Sequence, residues 1–345
     1  MKKKVALLMS GGIDSSYSAC LLRQNYDVCG IYLKLHNKEE KHRFYVNKCK
    51  TVSEKLGIEF IILDLQRQFK EVVYDYFVDS YKQARTPNPC AMCNPNIKFG
   101  LGLDKALELG CDYIASGHYA RIKNIDGTNY IQEAVDKTKD QSYFLFGISQ
   151  EAKDKLIFPL GNKLKVDVKK EAFKTMPWFG DLEEYKDSQE ICFVDKDYIQ
   201  TISKDVDVNS SGKIKDKNGN VIGWHKGYMQ YTIGKRKGLN INASHDPKYV
   251  ISIDPKENVV VVGNKEELIK KEIKAKIVSL DNFKDGKYSI KVRYRGENIG
   301  ADIVVENNII VAKPLDKIYG VANGQALVIY RGDVVLGGGF IEEST

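Results

Sequence analysis

Cysteines are the residues of this chain whose spacing points most directly to chemistry. Cys90 and Cys93 lie three positions apart in a proline-rich run, so a helical turn there would place both thiols on one side. Such a pair is compatible with half of a zinc site, with a redox pair or with chance, and no second pair exists to complete a zinc site. Cys192 is a third candidate, although its position between Ile191 and Phe193 taken alone favours a buried structural cysteine.

The other cysteines carry weaker signals. Seven cysteines in 345 residues are an odd and thinly spread set, which excludes the framework of a small secreted disulfide protein. Cys20, Cys29 and Cys111 fall in or beside predicted helices and strands, and we expect them to pack in the core. Cys49 lies in a charged helix, and the pattern assigns it no role.

A second candidate site is the loop Ser10-Gly11-Gly12-Ile13-Asp14-Ser15, directly between the first predicted strand and the first predicted helix. Paired glycines allow a tight turn that brings backbone N–H groups close to a polyanion, and the helix N-terminus adds partial positive charge. The loop lacks the Gly-Lys-Ser/Thr ending of Walker A, so a plain turn is the alternative interpretation. We expect a nucleotide site formed by Leu8, Met9, Ser10, Gly11, Gly12, Ile13, Asp14, Ser15, Leu33 and Gly117.

The elements around this loop alternate between strand and helix. A continuous apolar run predicts a strand at 5–9, and mostly apolar segments predict strands at 28–33, 58–63 and 113–115. Helices are predicted at 14–24, 44–56, 68–82 and 97–109. Pro95 should lie just inside the start of the last helix and Gly110 just past its end. This order predicts an α/β fold with a doubly wound parallel sheet, and ligands of such sheets bind at the carboxyl ends of the strands.

The second half of the chain has a different pattern. Residues 205–220 are polar and contain the hairpin signal Asn218-Gly219. Alternating apolar residues at 288–294, 326–330 and 334–336 predict short antiparallel strands that close into a small β-barrel. We therefore expect three domains, at 1–200, 201–268 and 269–345.

Composition places the chain among globular proteins that are not exported. Hydrophobic residues make up 43% and charged residues 29% of the chain. No apolar run approaches the roughly 20 residues of a membrane span, and the run 5–9 is too short for a signal peptide, so we expect a cytoplasmic protein without membrane association. The formal charge of +7 is compatible with a polyanionic partner and equally with a lysine-rich proteome.

Taken together, these motifs resemble the bacterial tRNA-specific 2-thiouridylases, the MnmA family of the PP-loop ATP pyrophosphatases. The glycine loop resembles their SGGxDS signature, and the resemblance continues almost end to end, through 85–94, 117–120, 139–145, 188–193, 231–239, 324–325 and 336–339. It implies that ATP, accompanied by Mg²⁺, adenylates the oxygen on carbon 2 of the wobble uridine in tRNAs for Lys, Glu and Gln. Sulfur then replaces that oxygen, and AMP leaves.

The resemblance also implies roles for individual residues. Cys93 matches the position that attacks or resolves, and Cys192 matches the position that carries a persulfide. Contacts with the target base and the tRNA are implied for Asn88, Pro89, Cys90, His118, Lys139, Asp140, Gln141, Tyr294, Arg295 and Gln325. The implied partners are tRNA and a sulfur donor, either a relay protein fed by a desulfurase or free sulfide, and we expect a monomer or weak dimer. The basic runs 224–226 and 235–237 are further candidates for phosphate contacts.

The chain departs from the family pattern at several positions. Most members carry Asp where this chain has Cys90, usually carry Gly where Ala84 stands, and have a longer segment in place of 37–43. Three thiolates can hold a 4Fe–4S cluster and leave one iron open, so we hypothesise a cluster on Cys90, Cys93 and Cys192 that delivers hydrosulfide. The alternative is a cluster-free route with a persulfide on Cys192 and a disulfide to Cys93. A PP-loop ligase with an amine nucleophile and a non-enzymatic RNA-binding protein are minor alternatives.

Overall fold

The computed structural model describes residues 2–179, 191–194, 197–241 and 246–345. Its α-helices are α1 Ile13–Arg23, α2 Glu39–Leu56, α3 Gln66–Phe69, α4 Asp75–Lys82, α5 Pro89–Cys93, α6 Gly102–Glu108, α7 Gln150–Lys155, α8 Lys165–Thr175 and α9 Tyr198–Ile202, with π-helical segments at Lys70–Tyr74 and Asn94–Leu101. Its strands are β1 Lys4–Met9, β2 Asp27–Lys34, β3 Glu59–Asp64, β4 Tyr113–Ser116, β5 Ala120–Ile125, β6 Thr128–Glu133, β7 Leu156–Ile157, β8 Gly212–Asp216, β9 Val221–His225, β10 Tyr249–Asp254, β11 Val259–Gly263, β12 Ile273–Leu280, β13 Gly286–Lys291, β14 Ile299–Glu306, β15 Ile309–Pro314, β16 Ala326–Arg331 and β17 Val334–Ser344.

The chain divides into two compact units. Unit 1 comprises Met1–Val73, Cys90–Gln189 and Arg331–Leu336, and unit 2 comprises Tyr74–Pro89, Glu190–Tyr330 and Gly337–Thr345. None of the helices in the described ranges has the length and apolar character that crossing a membrane requires.

Unit 1 is built on a parallel sheet with the strand order β3–β2–β1–β4–β7. Along β1, Val5, Leu7 and Met9 pack into a core cluster with residues of α1 and α2. Leu8 points to the opposite face, where it lies beside Gly102 of α6. Because helices cover both faces, the strands are continuously apolar, and the predicted α/β fold with a doubly wound sheet is confirmed.

Two predicted helices begin at other residues than the sequence pattern indicated. Helix α2 starts at Glu39 rather than at Phe44, because Glu39 and Glu40 in the first turn favour the positive helix N-terminus. The helix predicted from Ile97 already begins at Pro89, and proline at a first helical position costs no intrahelical hydrogen bond.

Pro95 was predicted at a helix start but lies inside a continuous helical stretch. It falls in the π-helical segment Asn94–Leu101, where a Cβ on Gly100 would lie 2.8 Å from the Pro95 carbonyl oxygen. A π-turn widens the helix locally and so accommodates a proline that offers no N–H. Both cysteines of the C-x-x-C pair precede this segment and lie on helix α5.

Unit 2 contains two β structures. Strands β12, β15, β14, β13, β16 and β17 pair in that order, and β17 pairs back with β12, so the predicted C-terminal antiparallel barrel is confirmed. In the described part of the central region, β10, β11, β8 and β9 form a mixed sheet. The predicted hairpin at Asn218-Gly219 joins β8 to β9, and Gly219 has a φ of 89°.

Helix α4 of unit 2 ends in a strained turn. Ala84 has a φ of 54°, in the left-handed region that glycine adopts without the steric cost of a Cβ. This conformation explains why glycine is expected at position 84, where this chain has alanine.

Candidate active site

The glycine loop after β1 is held by its own serines. The Ser10 backbone N–H donates to Ser15 Oγ over 3.1 Å, and Ser15 Oγ donates to the Gly12 carbonyl over 3.1 Å. Gly11 has a φ of 74°, and a Cβ there would lie 2.8 Å from the Tyr45 carbonyl oxygen. The loop therefore requires glycine on two grounds, its backbone conformation and its close contact with α2.

This loop lies where the strand order of the sheet reverses. The chain runs outward from β1 through β2 to β3 and then returns to β4 on the other side of β1. Gly117, just after β4, packs so closely on the loop that a Cβ there would lie 3.0 Å from the Ser15 backbone nitrogen. Leu33 lies near the same carboxyl edge, at the end of β2. Open α/β sheets bind ligands at such a switch point.

A charged residue that the sequence pattern did not identify forms an ion pair with the loop. Lys165, at the start of α8, has a side chain only 9% exposed, and its Nζ lies 2.6 Å from both carboxylate oxygens of Asp14. The Tyr119 hydroxyl donates to Asp14 Oδ1 over 3.0 Å. A lysine 151 residues away in sequence has no local signal that links it to the loop.

The C-x-x-C pair lies in unit 1, at the start of the continuous helical stretch formed by α5, the π-helical segment Asn94–Leu101 and α6. Cys90 is half-buried and Cys93 is buried, and both lie on α5. The next residue, Asn94, is 1% exposed and donates from Nδ2 to the Phe144 carbonyl over 3.0 Å, which anchors the end of α5. The helical turn that the sequence interpretation required for two thiols on one side is present.

In unit 2, the segment that leads into this helix is clamped from two sides. The Asn88 backbone N–H donates to the Tyr76 hydroxyl of α4 over 3.3 Å. Gln325 donates from Nε2 to the carbonyl oxygens of Thr86 and Pro87 at 3.1 and 3.0 Å. Gln325 was predicted as a tRNA contact, and these bonds give it a positioning role for the segment that contains the predicted base contacts Asn88 and Pro89.

Cys192, also in unit 2, is exposed and stands beside a firmly packed aromatic residue. Phe193 is 3% exposed, and its ring lies 5.0 Å from that of Phe77 and 5.7 Å from that of Tyr74, both centroid to centroid. Within unit 2, helix α4 and the residue that precedes it therefore contact both Asn88 and Phe193. Ser188, Gln189 and Glu190 of the same motif lie outside the described residues.

Comparison with known proteins decides the family. A family model described as a tRNA methyl transferase HUP domain matches residues 3–196, a tRNA methyl transferase PRC-barrel domain matches 199–264, and an aminomethyltransferase beta-barrel domain matches 268–341. A tRNA-specific 2-thiouridylase MnmA of Helicobacter hepaticus is 56% identical over 343 residues, 99% of each chain. The MnmA of Helicobacter pylori strain HPAG1 is 54% identical, covering 98% of this chain and 99% of its own, and that of Nitratiruptor sp. is 46% identical, covering 99% and 100%. The chain belongs to the MnmA family.

The other residues that the MnmA resemblance assigns to tRNA differ in exposure. Asp140 is buried and accepts from the Ala134 backbone N–H at 2.8 Å and from Ser142 Oγ at 2.7 Å. Gln141 accepts from the Tyr119 backbone N–H over 2.9 Å, so it links this turn to the segment after β4. Lys139 is half-buried beside them. Asp140 and Gln141 therefore shape the turn that presents Lys139.

In unit 2 of this MnmA-family chain, the predicted tRNA residues follow strand β13 and line the central region. Tyr294 is half-buried and Arg295 is exposed, in the turn after β13. In the basic run 224–226, Trp224 is 55% exposed, whereas His225 is buried and its Nε2 lies 3.1 Å from the Asn258 carbonyl. The ring of His225 lies 5.7 Å from that of Tyr231, centroid to centroid, so within this run the exposed side chains are Trp224 and Lys226.

Another predicted tRNA contact, His118, lies in unit 1 between a lysine and a serine. Its Nε2 is 3.3 Å from Lys98 Nζ and its Nδ1 is 2.7 Å from Ser116 Oγ. Burial, and secondarily the charge of Lys98, holds the pKa of His118 well below its ordinary value of 6.5. A neutral ring that accepts from Lys98 and pairs with Ser116 fits this geometry.

We expect His118 to make stability depend on pH. Below about pH 6.5 the unfolded chain takes up a proton at His118 that the folded chain does not, so stability falls as pH falls. In the H118Q variant this dependence is absent, and the melting temperature should fall less between about pH 7 and about pH 5 than in the wild type. If the melting temperature of H118Q falls as steeply with decreasing pH as that of the wild type, the pKa of His118 is not lowered in the folded chain.

The remaining cysteines have packing roles in the structure. Cys29, Cys49 and Cys111 are buried, and Cys20 is half-buried against the same core, so the predicted core placement of Cys20, Cys29 and Cys111 is confirmed. Burial raises the pKa of the Cys49 thiol to about 12, even though it interacts with the Gly11 backbone. Cys49 packs in the core cluster between the sheet and α2, and its thiol is protonated at neutral pH.

A cluster of metal ligands is not assembled in the described part of the chain. Within it, no group of three or more His, Cys, Asp or Glu side chains could hold a metal ion. Cys90 and Cys93 belong to unit 1 and Cys192 to unit 2. The three-cysteine cluster therefore stays a prediction, and we derive no reaction step through it.

Proposed function

We propose that this chain is an ATP-dependent tRNA-uridine 2-sulfurtransferase that acts on the wobble uridine of tRNAs for Lys, Glu and Gln. The observation that carries the proposal is the glycine loop with its charged residues at the switch point of a parallel sheet, in a chain that also carries paired thiols on α5. The MnmA relatives are named tRNA-specific 2-thiouridylases, which supports thiolation of a tRNA uridine. We propose 1–200 as the catalytic domain, and 201–268 and 269–345 as domains that hold the tRNA.

The first step activates a poor electrophile. The carbon 2 carbonyl of uridine is flanked by two nitrogens, so a sulfur nucleophile does not displace its oxygen directly. In the proposed reaction this oxygen attacks the α-phosphate of ATP, the bond to pyrophosphate breaks, and AMP becomes the leaving group. The loop N–H groups and the N-terminus of α1 would bind the phosphates, and the Mg²⁺ that accompanies ATP would supply further positive charge to them.

The second step transfers sulfur. A persulfide on Cys192, loaded by a relay protein or by another sulfane-sulfur donor, attacks carbon 2 through its terminal sulfur and expels AMP. The Cys93 thiolate then attacks the Cys192 sulfur, which leaves the thiocarbonyl on the base and a Cys93–Cys192 disulfide. An external thiol must reduce this disulfide before the next turnover. The Cys192 persulfide must reach carbon 2 of the base, and Cys93 must reach the Cys192 sulfur.

The role of Cys90 separates this route from the cluster hypothesis. In the cluster-free route Cys90 is a bystander, and we expect C90S to retain thiolation within about threefold of the wild type. If a cluster on Cys90, Cys93 and Cys192 delivers hydrosulfide, C90S loses both iron and activity. Anaerobic purification followed by iron and acid-labile sulfide analysis, alongside the tRNA thiolation assay, distinguishes the two. A colourless, iron-free protein with full activity would remove the cluster.

We propose tRNA contacts by the exposed and half-buried basic and aromatic residues. These include Lys139, His118, Trp224, Tyr294 and Arg295, whose charges meet phosphates or whose rings stack on a base that is turned out of its loop.

Nucleoside analysis of reacted tRNA tests the function directly. The proposal predicts 2-thiouridine that forms only with ATP and a sulfur donor. A methylated nucleoside would instead favour methyl transfer, which two of the matching family models carry in their descriptions. No modified nucleoside under any condition would favour a binding protein.

A further inference from the structure

We propose that Lys165 is the charge-compensating cation of the nucleotide loop, and that Asp14 positions it there. This inference rests on the proposed function, because it assumes that the loop binds ATP. Lys165 acts on bound phosphate through the charge of Asp14, its observed partner in the loop, so it is not a catalytic residue.

The first argument is the location of the ion pair. Lys165 Nζ lies 2.6 Å from Asp14 Oδ1 and from Oδ2, and the side chain of Lys165 is 9% exposed while that of Asp14 is 32% exposed. Asp14 lies in the first turn of α1, on the loop itself. The lysine is thus withdrawn from solvent, while the carboxylate it neutralises still faces the space beside the loop.

The second argument is electrostatic. A loop that receives a triphosphate brings several negative charges to the N-terminus of α1, and the partly exposed Asp14 carboxylate would repel them. A buried charge is screened by solvent much less than an exposed one. The ammonium group of Lys165 offsets the charge of Asp14, so the backbone N–H groups can bind phosphate without a competing anion.

The third argument is that the surrounding structure fixes Lys165 independently of any ligand. Its backbone N–H donates to Asp136 Oδ2 over 2.9 Å, and its Nζ lies 5.6 Å from the centroid of the Tyr119 ring. Val168 and Ala172 of α8 pack against Ile13 and Tyr17 of α1. The cation is therefore in place before a nucleotide binds.

A matched control lies two residues earlier in the chain. Lys163 Nζ pairs with Glu171 Oε2 at 2.9 Å, and Glu171 also accepts from the Tyr17 hydroxyl of α1. Like Lys165, Lys163 helps connect the α8 region to α1, but its partner is not in the loop. Loss of Lys163 tests the effect of weakening this connection without changing the charge at the loop.

The experiment measures the affinity of the full-length chain for adenosine, AMP, ADP and ATP by calorimetry in EDTA and again with Mg²⁺. We compare K165M, K165Q, which keeps a hydrogen-bond donor without the charge, K165R and K163M. For K165M and K165Q we expect the affinity for ATP to fall at least about tenfold. The loss of affinity should become smaller from ATP to ADP to AMP, and it should be less than about twofold for adenosine. K165R and K163M should stay within about threefold of the wild type for every ligand.

Each outcome decides between charge compensation and a structural role. Equal losses for adenosine and ATP in both K165M and K165Q would show that Lys165 only supports the fold of the loop and would overturn the inference, as would unchanged ATP affinity. If K165M does not fold, as judged by its melting temperature, K165Q alone decides in the same way. A wild-type chain that binds no ATP would refute the proposed function itself, and this inference with it.

Discussion

The C93S variant should lose tRNA thiolation by about 10³-fold or more and still consume ATP in the presence of tRNA. The physical reason is that a serine hydroxyl at this position is neither acidic nor nucleophilic enough to replace a thiolate. Neither adenylation of the base nor the attack by the Cys192 persulfide uses this thiol, so pyrophosphate and AMP release should continue until the tRNA is trapped as a covalent adduct with the Cys192 persulfide. The measurements are 2-thiouridine by mass spectrometry and pyrophosphate by a coupled assay.

A matched control for this variant is C111S, another buried thiol of unit 1, which lies outside α5. Burial raises the pKa of the Cys111 thiol to about 11, so it is protonated and inert at neutral pH. C111S should keep thiolation within about threefold even if its melting temperature falls. Thiolation by C93S at a rate close to that of C111S would exclude Cys93 from the chemistry.

The G11A variant should lose ATP binding by at least about tenfold, and thiolation with it. A left-handed φ costs an alanine roughly 1–2 kcal/mol, and the added Cβ would also lie 2.8 Å from the Tyr45 carbonyl. The loop or α2 must therefore move, which displaces the N–H groups that bind phosphate. Calorimetry with ATP and the melting temperature measure the two effects separately.

Gly127 offers a control that matches Gly11 in backbone conformation. It has a φ of 83° in the turn between β5 and β6, and a Cβ there would have no neighbour within 4 Å. G127A therefore has the conformational cost of an alanine at a left-handed φ, but it has no steric collision and lies outside the nucleotide loop. It should lower the melting temperature and leave ATP affinity within about twofold. Equal ATP affinity in G11A and G127A would contradict the assignment of the loop.

The sequence predicted best where a feature depends on neighbouring residues. The apolar run that forms β1 and the glycine turn after it are local patterns, and so are the alternating strands of the barrel. Helix α5 was considered only as a single helical turn because Pro87 and Pro89 favour a loop, although proline is well accommodated in a first helical turn. The π-helical segment at Asn94–Leu101 was missed because its hydrogen-bond spacing leaves no mark in hydropathy.

The parts of the site that depend on distant contacts could not be predicted. Lys165 reaches Asp14 only because α8 packs on α1, and one lysine among many charged residues carries no signal by itself. Gln325 was predicted to contact tRNA, but the bonds it makes to the carbonyls of Thr86 and Pro87 follow from the tertiary fold of unit 2. A family resemblance identifies functional positions, but it does not show which groups each side chain contacts.

The most direct test of the central claim follows the oxygen that leaves the base. A tRNA with a heavy-oxygen label on carbon 2 of the wobble uridine is incubated with the enzyme, ATP and a sulfur donor, and the nucleotides are analysed by mass spectrometry. If the base is adenylated and sulfur expels AMP, the label appears in AMP in equal amount to the 2-thiouridine formed. Label released into water, or 2-thiouridine formed with unlabelled AMP, would contradict adenylation of the base by this enzyme.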